Sequence, residues 1–185
     1  MKRLAALLLC LLLLCGCKGE ESALSEALRF RGKLLSSEGC SFRAKILADY
    51  GEGVQIFTVD CITDREGQLD LILREPETLA DITAQIRGDS GKITFDGLSL
   101  GFPLLAEGLI SPVAAPGILV NCWLQEFILS AGTEAERYRA SYEKKISNKT
   151  LLLDTYFENG LPISADLCYN DSRIVSMEIS DFRCL

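Results

Sequence analysis

Cys40-Ser-Phe-Arg-Ala-Lys-Ile-Leu-Ala-Asp49 is the stretch that decides the fold. Apolar residues hold the even positions Cys40, Phe42, Ala44, Ile46 and Ala48. Polar ones hold the odd positions Ser41, Arg43, Lys45 and Asp49, with Leu47 the exception. Successive side chains of a strand point to opposite sides, so a period of two marks a strand with one dry face and one wet face. Tyr50-Gly-Glu-Gly53 turns the chain, and Val54 to Thr63 returns as the second strand of a hairpin. A third strand follows Gly67, with Leu69, Leu71 and Leu73 set against Asp70 and Arg74. Glu75-Pro76 breaks it, since proline cannot donate to a ladder. Ala80, Ile82, Ala84 and Ile86 predict a fourth strand over Thr78 to Arg87. Lys92 to Asp96 is a fifth, and Leu98-Ser-Leu100 a short sixth.

The pattern then changes. Pro103 to Ile110 reads as a short helix or turn, and Ser111 to Gly117 as a kinked connector. From Pro116 the run is apolar nearly all round, through Ile118, Leu119, Val120, Trp123, Leu124, Phe127 and Leu129. It predicts a helix from Pro116 to Ala131, opened by proline and stopped by Gly132. Such a helix is buried or lies against a greasy concavity. Strands resume after Thr133. Tyr138, Ala140 and Tyr142 alternate, Leu151 to Phe157 follows, and Asn159-Gly160 is a hairpin turn. Ile163, Ala165 and Leu167 form the next strand, and Val175, Met177 and Ile179 the last. Before all of these, Glu20 to Ser37 has a helical period, with Leu24, Ala27, Leu28 and Leu35 towards one side. The fold class is α+β. An N-terminal helix precedes an antiparallel sheet of about 10–11 strands, covered on one face by a helical insert at about residues 103–131.

Lys2 and Arg3 stand before an apolar run from Leu4 to Gly16, which is 13 residues long and ends in Leu14-Cys-Gly-Cys17. A spanning helix needs roughly 20 residues, so the run reads as an export signal. Leu-Cys-Gly-Cys resembles a bacterial lipobox, in which Cys17 is diacylated and becomes the first mature residue. That likeness divides the chain into a leader at 1–16, a lipidated N-terminus and helix at 17–38, and a β domain at 39–185. It also implies an extracytoplasmic protein held in the outer leaflet of the cell membrane, or in the outer membrane where there is one. Loss of Lys2 and Arg3 takes the formal charge from −7 to −9. So acidic a chain repels phosphate backbones and is not expected to bind nucleic acid. Its membrane partner is met through the acyl chains.

The strand pattern from Phe42-Arg-Ala-Lys-Ile46 through Leu69-Asp-Leu-Ile-Leu73, Glu75-Pro76 and Ile93-Thr-Phe-Asp-Gly97 is similar to that of the LolA/LolB-like lipoprotein-carrier family. The Ser141-Tyr142 strand and the Leu161-Pro162 hairpin extend the likeness to roughly Glu20–Leu185. The resemblance implies an unclosed barrel, or half-barrel, whose concave side holds acyl chains under a helical lid, here the Pro116–Ala131 helix. Phe42, Ile46, Phe95, Val120, Trp123, Leu124 and Phe127 would then face a hydrophobic ligand. A clostridial spore-germination lipoprotein of the same fold binds a cell-wall amidase instead, so the likeness also implies a second role, regulating or scaffolding an envelope enzyme. The LolA carrier itself is soluble, whereas this chain carries the lipobox-like motif.

Catalytic signatures are not found. The chain has no histidine, so the usual Ser-His-Asp and Cys-His sets cannot form. It has no phosphate-binding glycine loop, and nothing asks for a cofactor or a metal. The expectation is a protein that is not an enzyme. Five cysteines, at 40, 61, 122, 168 and 184, follow Cys17, and five cannot all pair within one chain. Cys40 and Cys61 bracket the first hairpin. A turn centred between Tyr50 and Gly51 would oppose them and allow a disulfide, whereas a turn centred on Gly51 opposes Cys61 to Ser41. Cys40 continues the apolar even face, which favours two buried thiols.

Overall fold

The computed structural model describes residues 18–51, 53–106, 109–147 and 149–185. The leader and Cys17 lie outside the described residues. Helix α1 (Lys18–Ser36) leads into β1 (Gly39–Asp49), β2 (Val54–Asp64), β3 (Leu69–Glu75), β4 (Thr83–Arg87), β5 (Ser90–Phe95) and β6 (Leu98–Pro103). A two-stranded ribbon, β7 (Leu105–Ala106) with β8 (Leu109–Ile110), leads to helix α2 (Ala115–Gln125). Then come β9 (Ile128–Glu134), β10 (Arg137–Ile146), β11 (Lys149–Glu158), β12 (Leu161–Tyr169) and β13 (Ser172–Cys184). Eleven strands form one antiparallel sheet in the order β6-β5-β4-β3-β2-β1-β13-β12-β11-β10-β9. Strands β6 and β9 end the sheet without pairing to each other, so the barrel is not closed. The seam between the early and late strands is the β1–β13 ladder.

The alternation in β1 is that expected: Cys40, Phe42, Ala44, Ile46 and Ala48 are all buried. Their face is continued by Val59 and Cys61, by Leu69, Leu71 and Leu73, and by Leu153, Leu167 and Met177. This makes the dry concave side of the sheet. Both helices pack on it, and Phe30 of α1 and Trp123 of α2 meet Phe42, Phe157 and Phe182 in an aromatic cluster with ring centroids 5.2–6.1 Å apart. Edge-to-face contacts such as Phe30 on Trp123 contribute about 0.5–1.5 kcal/mol each beyond area burial.

Five local expectations are corrected. The stretch 103–110 is not a short helix: Pro103 ends β6 and Leu105–Ala106 pairs with Leu109–Ile110, so the helical part of the insert narrows from about 103–131 to 112–125. The predicted fourth strand from Thr78 shortens to Thr83–Arg87. Glu77–Leu79 forms a 3-10 turn, and Asp81 takes a left-handed conformation (φ 67°) at a bulge, where Asp81 N donates to Leu73 O and Leu73 N to Ile82 O, so the regular ladder begins only at Thr83. The α2 helix stops at Gln125 instead of Ala131, and Ile128–Glu134 is an edge strand paired with β10. Glu126 is extended there, and pairing gives the backbone of 128–134 a ladder that continued helix could not share with β10. In α1 the buried face is Ala23, Ala27, Phe30 and Leu34, while Leu24, Leu28 and Leu35 are exposed. The small alanines let α1 approach the sheet closely, which a leucine face could not do. Finally, the first hairpin takes a register that places Cys40 opposite Thr63 and Phe42 opposite Cys61. Cys40 and Cys61 are therefore offset by two residues on one face, both as free buried thiols, and the disulfide between them that one register would allow has no opposed pair to form on.

Candidate functional site on the concave face

Helix α2 occupies the middle of the concavity. It begins at Ala115, with Pro116, whose φ is already fixed for a helix, in its first turn, and crosses β4 at Gly117. A Cβ on Gly117 would lie 2.9 Å from Ile86 Cγ2, so only glycine permits this approach. Polar ties hold the helix in place. The Trp123 indole N–H donates to Thr155 Oγ1 at 3.0 Å, both residues being fully buried. From α1, Arg31 donates to the carbonyls of Trp123 (2.6 Å), Cys122 (3.1 Å) and Glu126. The Cys122 carbonyl also accepts from Glu126 N (3.2 Å), whereas Trp123 and Glu126 stand at the C-terminal end of α2, where carbonyls run out of helical partners. The guanidinium supplies a partner there and sits at the negative end of the helix dipole. Lys144 of β10 adds bonds to Asn121 Oδ1 (2.5 Å) and Glu126 Oε1 (2.7 Å).

The residues read from sequence as a ligand wall divide into two groups. Phe42, Ile46, Val120 and Trp123 are buried and fill the centre of the concavity with side chains. Leu124 is half-buried, packed on the core. Phe95 (55% exposed) and Phe127 (90% exposed) stand in solvent, far from equivalent to the others. Phe127 lies between α2 and β9 rather than on a helix, which is why it turns out.

Beyond α2 the dry face continues towards the β5–β6 edge, where nothing among the described residues covers it. Phe102 lies on Gly91, a Cβ there being 2.2 Å from the ring. Ile93 opposes Leu100, and Phe95 opposes Leu98 across the Asp96-Gly97 turn. Leu98 is 77% and Leu100 71% exposed. Ala84, next to Ile93, is already in the core. The result is an apolar corner continuous with the core, half of it in water. The sequence reading missed Leu98 and Leu100 as site residues. The available signal was two leucines alternating on the face of Phe95, just after an Asp-Gly turn. A smaller cavity of about 250 Å³ opens beside α2, with Ile86, Leu104 and Ile118 as floor and Gln68, Asn121 and Lys144 at its rim.

Burial pushes the Cys122 thiol up to about 12 and the Cys61 thiol well above its ordinary value, so both are protonated at neutral pH. The Tyr50 hydroxyl is likewise pushed up to about 12 by burial and donates to the Ile110 carbonyl, tying the ribbon before α2 to the first hairpin.

The chain is an unclosed antiparallel half-barrel, with a helix inserted between its two runs of strands and seated on the concave side, the arrangement that the resemblance to the LolA/LolB-like family implied. No protein-family model matches the chain, and no curated protein matches it in sequence. Among solved structures it is similar to a LolA superfamily protein from Nitrosomonas europaea, 11% identical over 90% of this chain and 94% of that one, with a TM-score of 0.47. It is also similar to a putative outer membrane lipoprotein-sorting protein domain from Vibrio parahaemolyticus (11% identity, 89% and 92% covered, TM-score 0.44). A third is the lipoprotein LppX from Mycobacterium tuberculosis (8% identity, 88% and 95% covered, TM-score 0.42). The likeness is one of fold.

Proposed function

We propose that this chain is a non-catalytic, lipid-anchored lipoprotein of the cell envelope that binds a lipid or other hydrophobic ligand at the uncovered end of its concave sheet. The observation that carries the reading is the apolar corner of Phe95, Leu98 and Leu100, continuous with the core and exposed. Each methylene a ligand lays against it contributes about 0.8 kcal/mol. The centre of the concavity is filled, so the ligand lies beside α2 and not beneath it. Native mass spectrometry of the full chain extracted from membranes tests this. Noncovalent lipid masses are expected, and Leu98→Glu with Leu100→Glu should abolish them. Both side chains are exposed, so stability should change by less than about 1 kcal/mol. A wild-type protein that is consistently empty overturns the ligand reading.

The filled centre favours one second reading, in which the same corner docks an envelope protein. Crosslinking from β6 in envelope extracts separates the two. A stoichiometric protein adduct on an empty domain supports docking, and the ligand reading needs none.

The anchor rests on Leu14-Cys-Gly-Cys17. Cys17→Ala is expected to release the protein from the membrane fraction or to leave it as uncut precursor. A variant that remains membrane-bound at mature size overturns the anchor.

A further inference from the structure

The β1–β13 ladder brings together two cysteines far apart in sequence. Cys40 and Cys184 are directly opposed. The neighbouring residues carry the ladder bonds: Leu185 N donates to Gly39 O, and Glu38 N to Leu185 O, each at 3.0 Å. Cys40 and Cys184 are thereby the non-hydrogen-bonded pair, the kind in which Cα atoms approach to about 4.5 Å and side chains on the same face come closest. That lies within the ~4.4–6.8 Å Cα range of disulfides. Cys61 is the competing partner, but it opposes Phe42. Its diagonal position puts its Cα about 7–8 Å from that of Cys40, beyond the usual range. We propose that Cys40 and Cys184 form a disulfide that staples the seam between the early and late halves of the sheet.

The two thiols differ in access, which orders the chemistry. Cys184 is exposed and Cys40 is fully buried. With a disulfide as oxidant, the Cys184 thiolate attacks one oxidant sulfur and expels the first thiolate, leaving a mixed disulfide on Cys184. The Cys40 thiolate then attacks the Cys184 sulfur, forming the S–S bond and expelling the second thiolate. Two protons leave the two protein thiols, and the oxidant is reduced to two thiols. Burial pushes the Cys40 thiol up to about 11, which slows the second step. The Thr63 hydroxyl, 3.3 Å from Cys40 Sγ, opposes that shift. An extracytoplasmic location, the one the lipobox-like motif implies, is where such oxidants prevail.

The test treats the full chain with oxidised glutathione, alkylates the remaining thiols and maps tryptic peptides without reduction. The expected product joins the peptide Leu34–Arg43 to the fragment carrying Cys184, lighter by two hydrogens. It should disappear in Cys184→Ser and persist in Cys61→Ser. Oxidation should raise Tm by about 10 °C, because the closed loop is long. A fragment joining Cys40 to Cys61, or Cys40 freely alkylated after oxidation, overturns the proposal.

Discussion

Trp123→Ala is expected to cost about 5 kcal/mol of folding stability, the largest loss of any single truncation proposed for this chain. Trp-to-Ala changes in well-packed cores cost about 3–5 kcal/mol, and this site has reasons to lie at the top. Trp123 is fully buried and touches the rings of Phe30, Phe42 and Phe182 from three sides. These come from α1, β1 and β13, so the cavity borders rigid elements that cannot easily collapse into it. The lost indole also leaves the hydroxyl of Thr155, itself fully buried, without its donor. Chemical denaturation with an unchanged m-value would measure the loss. A cost under about 1 kcal/mol would mean that α2 is not integral to the core. The concave centre would then open readily, and a ligand beneath the helix would become the better reading.

The second large effect is expected at Arg31. Arg31→Met should cost about 3 kcal/mol, since hydrogen bonds from a charged donor are worth about 1.5–3 kcal/mol and the site is only part-buried. The Trp123 and Glu126 carbonyls would be left to water, while the Cys122 carbonyl would keep only its bond from Glu126 N. Arg31→Lys should recover little. One ammonium cannot reproduce a planar fork reaching three acceptors around the end of a helix. Hydrogen exchange separates this from general destabilisation. The amides of the last turn of α2 should lose protection more than those of β1 or β13. Uniform loss across the sheet would mean that Arg31 acts through packing over Tyr142, whose ring lies 5.8 Å away. That result would remove the clamp from the account of how α2 is seated.

These two residues show where sequence reading ends. Trp123 is visible in sequence as part of an apolar helix, and its burial follows from that pattern. Whether such a helix covers an open cavity or fills it depends on what rises from the sheet beneath, here Phe42 and Phe182 with Phe30 alongside. Arg31 has no local signature at all. Its acceptors are more than 90 residues away, and helical periodicity places it only near the edge of the buried face. The exposed corner at Leu98 and Leu100 was missed for the converse reason. A strand with an alternating apolar face reads the same whether or not a helix reaches far enough to cover it.

By itself the sequence determined what short-range physics decides. The period of two in β1, the breaks at Glu75-Pro76 and Asn159-Gly160, and the shift to an apolar helical run place the strands and the insert in order, and turn-linked strands in that order pair into one antiparallel sheet. Tertiary structure decided what depends on distant partners. The turn from helix to strand after Gln125 is settled by β10, to which 128–134 can pair. The buried face of α1 is settled by how closely it must approach the sheet, which selects Ala23 and Ala27 over Leu24 and Leu28. The neighbour of Cys40 is settled by register. Two residues of shift in the first hairpin put Thr63 rather than Cys61 opposite Cys40 on one side, and the closing strand supplies Cys184 on the other.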